Sequence, residues 1–354
     1  MTTWTPIAIL PNLYAKTALD GDVIALVLSN DPRVVVFCKT NPKFALFLSR
    51  FRNAFDLSLS PVVMLARDDV TSKLVHTDAY QSFRDIAACS VIPFARALSV
   101  VYPNSSHIWY SDSFWLYPYT YNAQTEYLSL STPALGAINV VDNFHGQSMP
   151  ELPEMELTDI DFPLFNALLK RWAKVYLEGR QTWKDRALFR SLNMAFSASQ
   201  LPSGAGTILY DVGRCVGLWV SAFEILAHPK TEKSDITKIY PLLEKVSYID
   251  PKIKQRRYAP YTARVSRPWP RRNLPCWLYS KLYQARNDFL HGNPIKKNVL
   301  NPKQAKAGLF VAGPLLFRLA LTSFLNLKPE QPQGKRFQIN SQHMIERALL
   351  RTRK

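Results

Sequence analysis

The stretch LYQARNDFLHGNP, residues 282–294, predicts the end of an amphipathic helix. Its apolar residues share one face, and Gly292 with Pro294 stops the helix directly after His291. His291 is therefore predicted at a helix C-terminus. The partial negative charge of the last carbonyls favours an imidazolium there.

The polar residues of this stretch suit chemistry on RNA. Arg286 and His291 are about 140° apart around a helix axis, whereas Asn287 and His291 share a face. A histidine with a pKa near neutrality can take a proton from a ribose 2′-hydroxyl or protonate the leaving 5′-oxygen. An arginine offers a planar fork to the phosphate. Because RNA supplies its own nucleophile, this chemistry needs no metal and no cofactor.

Helical periodicity extends outward from this stretch over residues 161–330. Apolar residues recur at spacings of three and four, as in helices with one buried face. The predicted helices are Phe162–Leu177, Trp183–Ala198, Thr207–Ala227, Asp235–Val246, Trp277–His291 and Pro302–Asn326. Asp161 is the predicted cap of the first of them.

Two motifs in this region resemble those of HEPN domains, especially the ApeA-like branch. The segment RNDFLHG, residues 286–292, looks like the R-(polar)-x3-H-G signature. The segment WVSAFEIL, residues 219–226, resembles the helix with an A-hydrophobic-E-x-L pattern that precedes this signature. The resemblance covers about residues 160–330.

The resemblance implies an all-α bundle of four or more helices and a homodimer in which the two motifs face each other. It also implies metal-independent endoribonuclease activity in an antiviral defence or toxin system. By resemblance, Arg286 and His291 are catalytic and Asn287 gives polar support. Glu224 orients Arg286 across a helix interface, and the motif residues Asp288 and Gly292 support the site.

Each of these roles has a structural alternative. Arg286 can be a surface ion-pair partner of Asp288 or Glu224. His291 can serve only to end its helix. Glu224 can be a buried partner of any nearby arginine.

The basic residues are unevenly distributed along the 354-residue chain, whose net charge is +17. Residues 1–150 contain 10 Lys and Arg against 11 Asp and Glu, and residues 151–354 contain 34 against 16. A local excess of this size attracts polyanions such as nucleic acid. RNA is therefore the expected partner, and a merely soluble basic surface is the alternative.

An insert at residues 251–275 has eight cations, no acidic residue and three interleaved aromatics. This composition suits phosphate contact together with base stacking, or a solvated loop. The predicted RNA-binding residues are Arg256, Arg257, Arg264, Arg267, Arg271 and Arg272. The alternative function is a non-catalytic RNA-binding or dimerisation module that uses this insert.

Residues 1–145 predict a mixed α/β domain, followed by a linker at residues 146–160 and, after the helical domain, a basic tail at residues 331–354. The predicted strands lie in Asp22–Leu28, Arg33–Cys38, Pro61–Leu65 and His107–Tyr121. A helix is expected over about Asp78–Leu98, kinked or split at Pro93.

An aromatic cluster at residues 109–121 fits a packed strand pair or a base-stacking platform. The change in charge at the linker suggests a sensor domain for an unknown trigger ligand.

Several function classes lack support in the sequence. The four cysteines are far apart, so we expect no zinc site and a reducing, cytoplasmic location. The sequence contains no phosphate-binding glycine motif and no signal peptide pattern. The apolar stretch Ala307–Leu325 is interrupted by Gly, Pro and Arg, and we interpret it as a buried helix and expect no membrane partner.

Overall fold

The computed structural model describes residues 3–53, 55–74, 77–104, 108–122, 127–130, 146–147, 154–201, 209–261, 270–294, 297–329 and 340–350. The predicted site residues Arg264 and Arg267 lie outside these ranges. The chain divides into two compact units. Unit 1 comprises Met1–Asp85, Asp112–Ile160 and Leu169–Arg180, and unit 2 comprises Ile86–Ser111, Asp161–Leu168 and Gln181–Lys354.

The strands belong to unit 1. They are β1 Trp4–Leu10, β2 Tyr14–Ala15, β3 Leu19–Asp20, β4 Ile24–Leu28, β5 Phe51–Arg52, β6 Val62–Arg67, β7 Tyr119–Asn122, β8 Tyr127–Leu130, β9 Gly146–Gln147 and β10 Glu154–Met155. An antiparallel sheet has the order β1-β6-β4-β3, and the other strands form two-stranded pairs. Runs of β-branched and aliphatic residues build the central strands, which are buried on both faces.

The helices account for most of the remaining described chain. They are α1 Pro32–Thr40, α2 Pro42–Ser49, α3 Asp68–Thr71, α4 Thr77–Val101, α5 Phe162–Tyr176, α6 Trp183–Ala198, α7 Leu209–Leu226, α8 Ile236–Glu244, α9 Pro251–Gln255, α10 Leu274–Leu290, α11 Lys297–Leu300, α12 Leu309–Leu325 and α13 Ser341–Leu349. Of the helices within the described ranges, none is long and apolar enough to cross a membrane.

The N-terminal region thus contains a small sheet with helices, and the C-terminal part is helical, as the sequence predicts at this coarse level. The two units, however, do not follow the predicted division at residues 146–160. That segment belongs to unit 1, whereas Ile86–Ser111 belongs to unit 2. The physical reason is that two long helices, α4 and α5, each supply residues to both units.

The strand predicted over Arg33–Cys38 is wrong, because this segment forms α1. The run of valines favours a strand, but the local capping favours a helix. Asp31 accepts a hydrogen bond from the backbone N–H of Arg33 at 2.9 Å, and Pro32 occupies the first helical position. Only Val34 is buried on α1, and Val36 remains 61% exposed.

Most rings of the aromatic cluster at residues 109–121 are packed or partly packed, although Trp115 is 43% exposed. In unit 1, Tyr121 lies 5.9 Å from Phe44 between ring centroids, and Tyr117 lies 5.1 Å from Phe51. These rings belong to the core beneath the sheet. The packed interpretation of these rings is therefore the one the geometry favours.

The core of unit 2 holds α7, α10 and α12 together. Phe223 of α7 lies 4.8 Å from Tyr279 of α10 and 5.4 Å from Phe317 of α12, between ring centroids. A Cβ added at Gly313 of α12 would lie 2.8 Å from the Trp219 ring. Only glycine therefore allows this close approach of α12 to α7.

A buried ion pair joins α12 to the start of α5 within unit 2. Arg318 Nε donates to Asp161 Oδ2 at 2.6 Å, and the two side chains are 3% and 1% exposed. Asp161 also accepts from the backbone N–H of Leu164 at 3.3 Å, so its predicted capping role is confirmed. Removing either partner would leave an uncompensated buried charge.

The chain after residue 339 is not a loose tail where the structure describes it. Helix α13 packs into unit 2, and Glu346 is fully buried. Its carboxylate accepts from the backbone N–H groups of Ile249 and Asp250 at 3.0 and 2.6 Å. This contact fixes the chain directly before the arginine-rich insert.

Candidate functional site

The last turn of α10 ends as its sequence predicts. Gly292 has a φ of +69°, and its N–H donates to the carbonyl of Phe289 at 3.3 Å. The N–H of Asn293 donates to the carbonyl of Asp288 at 2.8 Å. These two bonds form a Schellman motif, which satisfies the last carbonyls of the helix. His291 is thereby fixed at the helix end by its backbone.

The side chain of His291 is exposed to solvent. Its backbone N–H donates to the carbonyl of Asn287 at 3.0 Å, but no hydrogen bond joins its imidazole to any described residue. The neighbouring Leu290 is 60% exposed. This helix end therefore presents an imidazole and an apolar side chain together to solvent.

Arg286 lies more than one turn before His291 and is held from two sides. Its Nη2 lies 3.7 Å from Glu224 Oε2 on α7, and its Nη1 donates to Asn287 Oδ1 at 3.1 Å. Its Cζ lies 5.7 Å from the centre of the Tyr283 ring. The Arg286 side chain is 26% exposed, so a ligand can reach it.

The structure therefore brings three of the predicted residues together. Glu224, Arg286 and Asn287 form one connected group. His291 is the exposed C-cap of the same helix, five residues after Arg286, and no hydrogen bond joins the two among the described residues. Asp288 contacts Asn293 and supports the helix end, because its Oδ1 accepts from Asn293 Nδ2 at 3.4 Å.

Burial and charge act in opposite directions on Glu224. Partial burial raises the pKa of its carboxyl, while nearby Arg286 lowers it and Asp235 raises it further. Next to it, burial raises the pKa of Tyr279 well above its ordinary value, and the Tyr279 hydroxyl has no hydrogen-bond partner among the described residues. Desolvation of Glu224 therefore outweighs the effect of Arg286, which indicates a loose ion pair between them.

Tyr283 was not among the predicted site residues. It lies three residues before Arg286, so the two side chains are neighbours on one helix face, and this spacing was available in the sequence. A guanidinium at this distance from an aromatic ring gains a modest cation–π stabilisation. Tyr283 therefore limits the directions in which Arg286 can extend.

The arginine-rich insert has an ordered base where it is described. The backbones of Tyr258 and Arg272 exchange two hydrogen bonds of 2.8 and 2.9 Å. Arg272 Nη1 donates to both carboxylate oxygens of Glu244 at 2.9 Å, and its Cζ lies 4.9 Å from the Tyr240 ring centre. Arg272 is thus occupied in closing the base of the insert.

The other predicted RNA-binding arginines differ in their accessibility. Arg257 and Arg271 are exposed, and Arg256 is partly buried. Arg264 and Arg267 belong to the part of the insert that the structure does not describe. The described base therefore presents two exposed arginines, Arg257 and Arg271, beside Arg272, which is paired with Glu244.

Comparisons of the chain with protein-family models, with curated proteins and with solved structures find no match. Within the described ranges, no group of three or more His, Cys, Asp or Glu is placed to hold a metal ion.

Proposed function

We propose that the end of α10 is the active centre of a metal-independent endoribonuclease of the HEPN type. The observation that carries the proposal is the exposed imidazole of His291 at a fixed helix end, with the Arg286 guanidinium oriented on the preceding turn. The basic charge of residues 151–354 supports RNA as the substrate.

In the proposed reaction, a histidine accepts the proton of a ribose 2′-hydroxyl, and the 2′-oxygen attacks the adjacent phosphorus. The bond to the 5′-oxygen breaks, and this oxygen leaves with a proton from a histidine. The products carry a 2′,3′-cyclic phosphate and a 5′-hydroxyl. Arg286 binds the non-bridging oxygens, whose charge increases in the transition state.

We further propose that two copies of the chain pair across the ends of α10. One histidine then acts as the base and the other as the acid. In such a pair, burial of the Leu290 side chain, which is 60% exposed, would contribute at most about 1.5–3 kcal/mol. The enzyme would act in the cytoplasm in defence or as a toxin, with residues 1–145 sensing the trigger.

The test is cleavage of RNA by the purified full chain in EDTA. We expect His291→Ala to slow cleavage by about 10²–10⁴-fold, the usual range for losing a general acid–base. His343→Ala on α13 is the matched control and should leave the rate unchanged. Equal cleavage by the wild type and His291→Ala would overturn the proposal.

The exposed Arg257 and Arg271 favour a second candidate function, a non-catalytic RNA-binding module. It predicts tight, salt-sensitive binding that His291→Ala does not change. Replacing Arg257 and Arg271 with alanine should then reduce the slope of log affinity against log salt by about two. An unchanged slope would exclude the described base of the insert.

A further inference from the structure

Helices α7 and α10 run antiparallel. Tyr279 of α10 packs against Phe223 of α7, with ring centroids 4.8 Å apart. Arg286 comes seven residues after Tyr279 on α10, and Gly217 comes six residues before Phe223 on α7. A Cβ built at Gly217 would lie 3.9 Å from Arg286 Cγ. The last turn of α10 therefore lies level with the turn of α7 that contains Arg214.

Arg214 is on the side of α7 that faces the site. At about 100° per residue, Glu224, Ser221 and Arg214 all lie within ~60° of Gly217 around the helix axis. None of these positions is buried, and Arg214 is exposed. The face through which Glu224 reaches Arg286 thus continues to Arg214.

Arg214 differs from Arg286 and Arg272 in its partners. Arg286 is paired with Glu224 and Arg272 with Glu244. Among the described residues, no carboxylate pairs with Arg214 and no hydrogen bond holds its guanidinium. A long, exposed cation of this kind can extend to a phosphate without breaking an existing contact.

We infer that Arg214 is a positioning residue that binds a phosphate of the RNA strand next to the one at Arg286 and His291. The inference rests on the proposed function and adds a second anchor for the substrate. Two arginines on adjacent helices would then fix the direction of the strand across the helix end. A single strand fits this arrangement because its backbone can bend between the two contacts.

The test is steady-state cleavage of RNA by the full chain in EDTA. We expect Arg214→Ala to raise KM roughly tenfold and to leave kcat within about twofold, because one charge-assisted contact is lost from substrate binding. Arg214→Lys should restore most of the affinity. Arg190→Ala, which removes an exposed arginine on α6, should change neither parameter.

An unchanged KM in Arg214→Ala, while His291→Ala abolishes cleavage, would overturn the inference and leave the proposed function standing. If cleavage does not depend on His291, the proposed function fails, and binding tests Arg214 separately. For an RNA with 2′-fluoro riboses, which cannot be cleaved, the slope of log affinity against log salt should be smaller by about one in Arg214→Ala than in the wild type. An identical slope would overturn the inference.

Discussion

Unit 2 contains two arginine–carboxylate pairs with opposite properties. Arg318 and Asp161 are 2.6 Å apart and almost completely buried. Arg286 and Glu224 are 3.7 Å apart and keep 26% and 20% of their side chains exposed. The first pair joins α12 to the start of α5, whereas the arginine of the second precedes the exposed His291 by five residues.

The difference indicates which of the two arginines can bind a substrate phosphate. The buried pair is satisfied by short hydrogen bonds, so its arginine cannot exchange Asp161 for a ligand without a large desolvation cost. The open pair, Arg286 with Glu224, is longer, and its arginine can turn from Glu224 to a phosphate with little loss of interaction energy. Arg318 is therefore structural, and Arg286 is the arginine we assign to catalysis.

The largest effect is expected from breaking the buried pair. Arg318→Ala should lower the free energy of unfolding by about 3–5 kcal/mol, because Asp161 is left charged and unpaired. Urea denaturation measures this loss. Lys238→Ala, which removes an exposed ion pair with Glu232, should cost at most about 1 kcal/mol. Equal losses in the two variants would remove the contrast between buried and open pairs.

Breaking the open pair should affect activity instead of stability. Arg286→Ala should reduce cleavage about 10²–10³-fold, as for the loss of one group that stabilises transition-state charge. Its free energy of unfolding should change by at most about 1 kcal/mol. A large loss of stability with unchanged cleavage would show that Arg286 is structural like Arg318.

The helix end beside the open pair can be tested through its glycine. Gly292→Ala should cost about 1 kcal/mol of stability, since its φ of +69° is strained for alanine although no atom obstructs the new Cβ. It should also slow cleavage, because His291 precedes it. Gly179→Ala has the same φ and an equally open site, and should lose stability without losing activity.

The smallest effect concerns the titration of Glu224. Burial raises the pKa of this carboxyl above its ordinary value of 4.5, so the folded state binds its proton more tightly than the unfolded state. Its ionisation therefore lowers stability as pH rises from about 4.5 through the folded pKa. In Glu224→Gln, the free energy of unfolding should decline less over this pH range. An unchanged pH profile would contradict the assigned burial effect.

Local sequence signals identified most helices. Helix α6 has the predicted bounds, Trp183–Ala198, because a threonine cap and a clear 3.6-residue period define it. Helix α1 was mistaken for a strand because three consecutive valines outweighed Asp31 and Pro32, whose capping signals were present in the sequence. The cap decides the conformation of such a short segment, because its valines remain largely outside the core.

Contacts between distant residues could not be obtained in the same way. The contact of Glu224 with Arg286 was predicted only because both lie in segments that resemble motifs of a known family. The pair Arg318–Asp161 joins residues 157 positions apart, and no local pattern marks either as the partner of the other. Arg214 was also not predicted, because its place beside α10 follows from helix packing.

The chemistry of the RNA ends produced in EDTA tests the central claim most directly. Wild-type protein should yield 2′,3′-cyclic phosphate and 5′-hydroxyl ends, and a single 2′-deoxy substitution at a cleavage position should stop cleavage there. His291→Ala should produce neither end above background. Fragments ending in a 3′-hydroxyl, or cleavage that persists at the 2′-deoxy position, would contradict the assignment of the α10 end as the active centre.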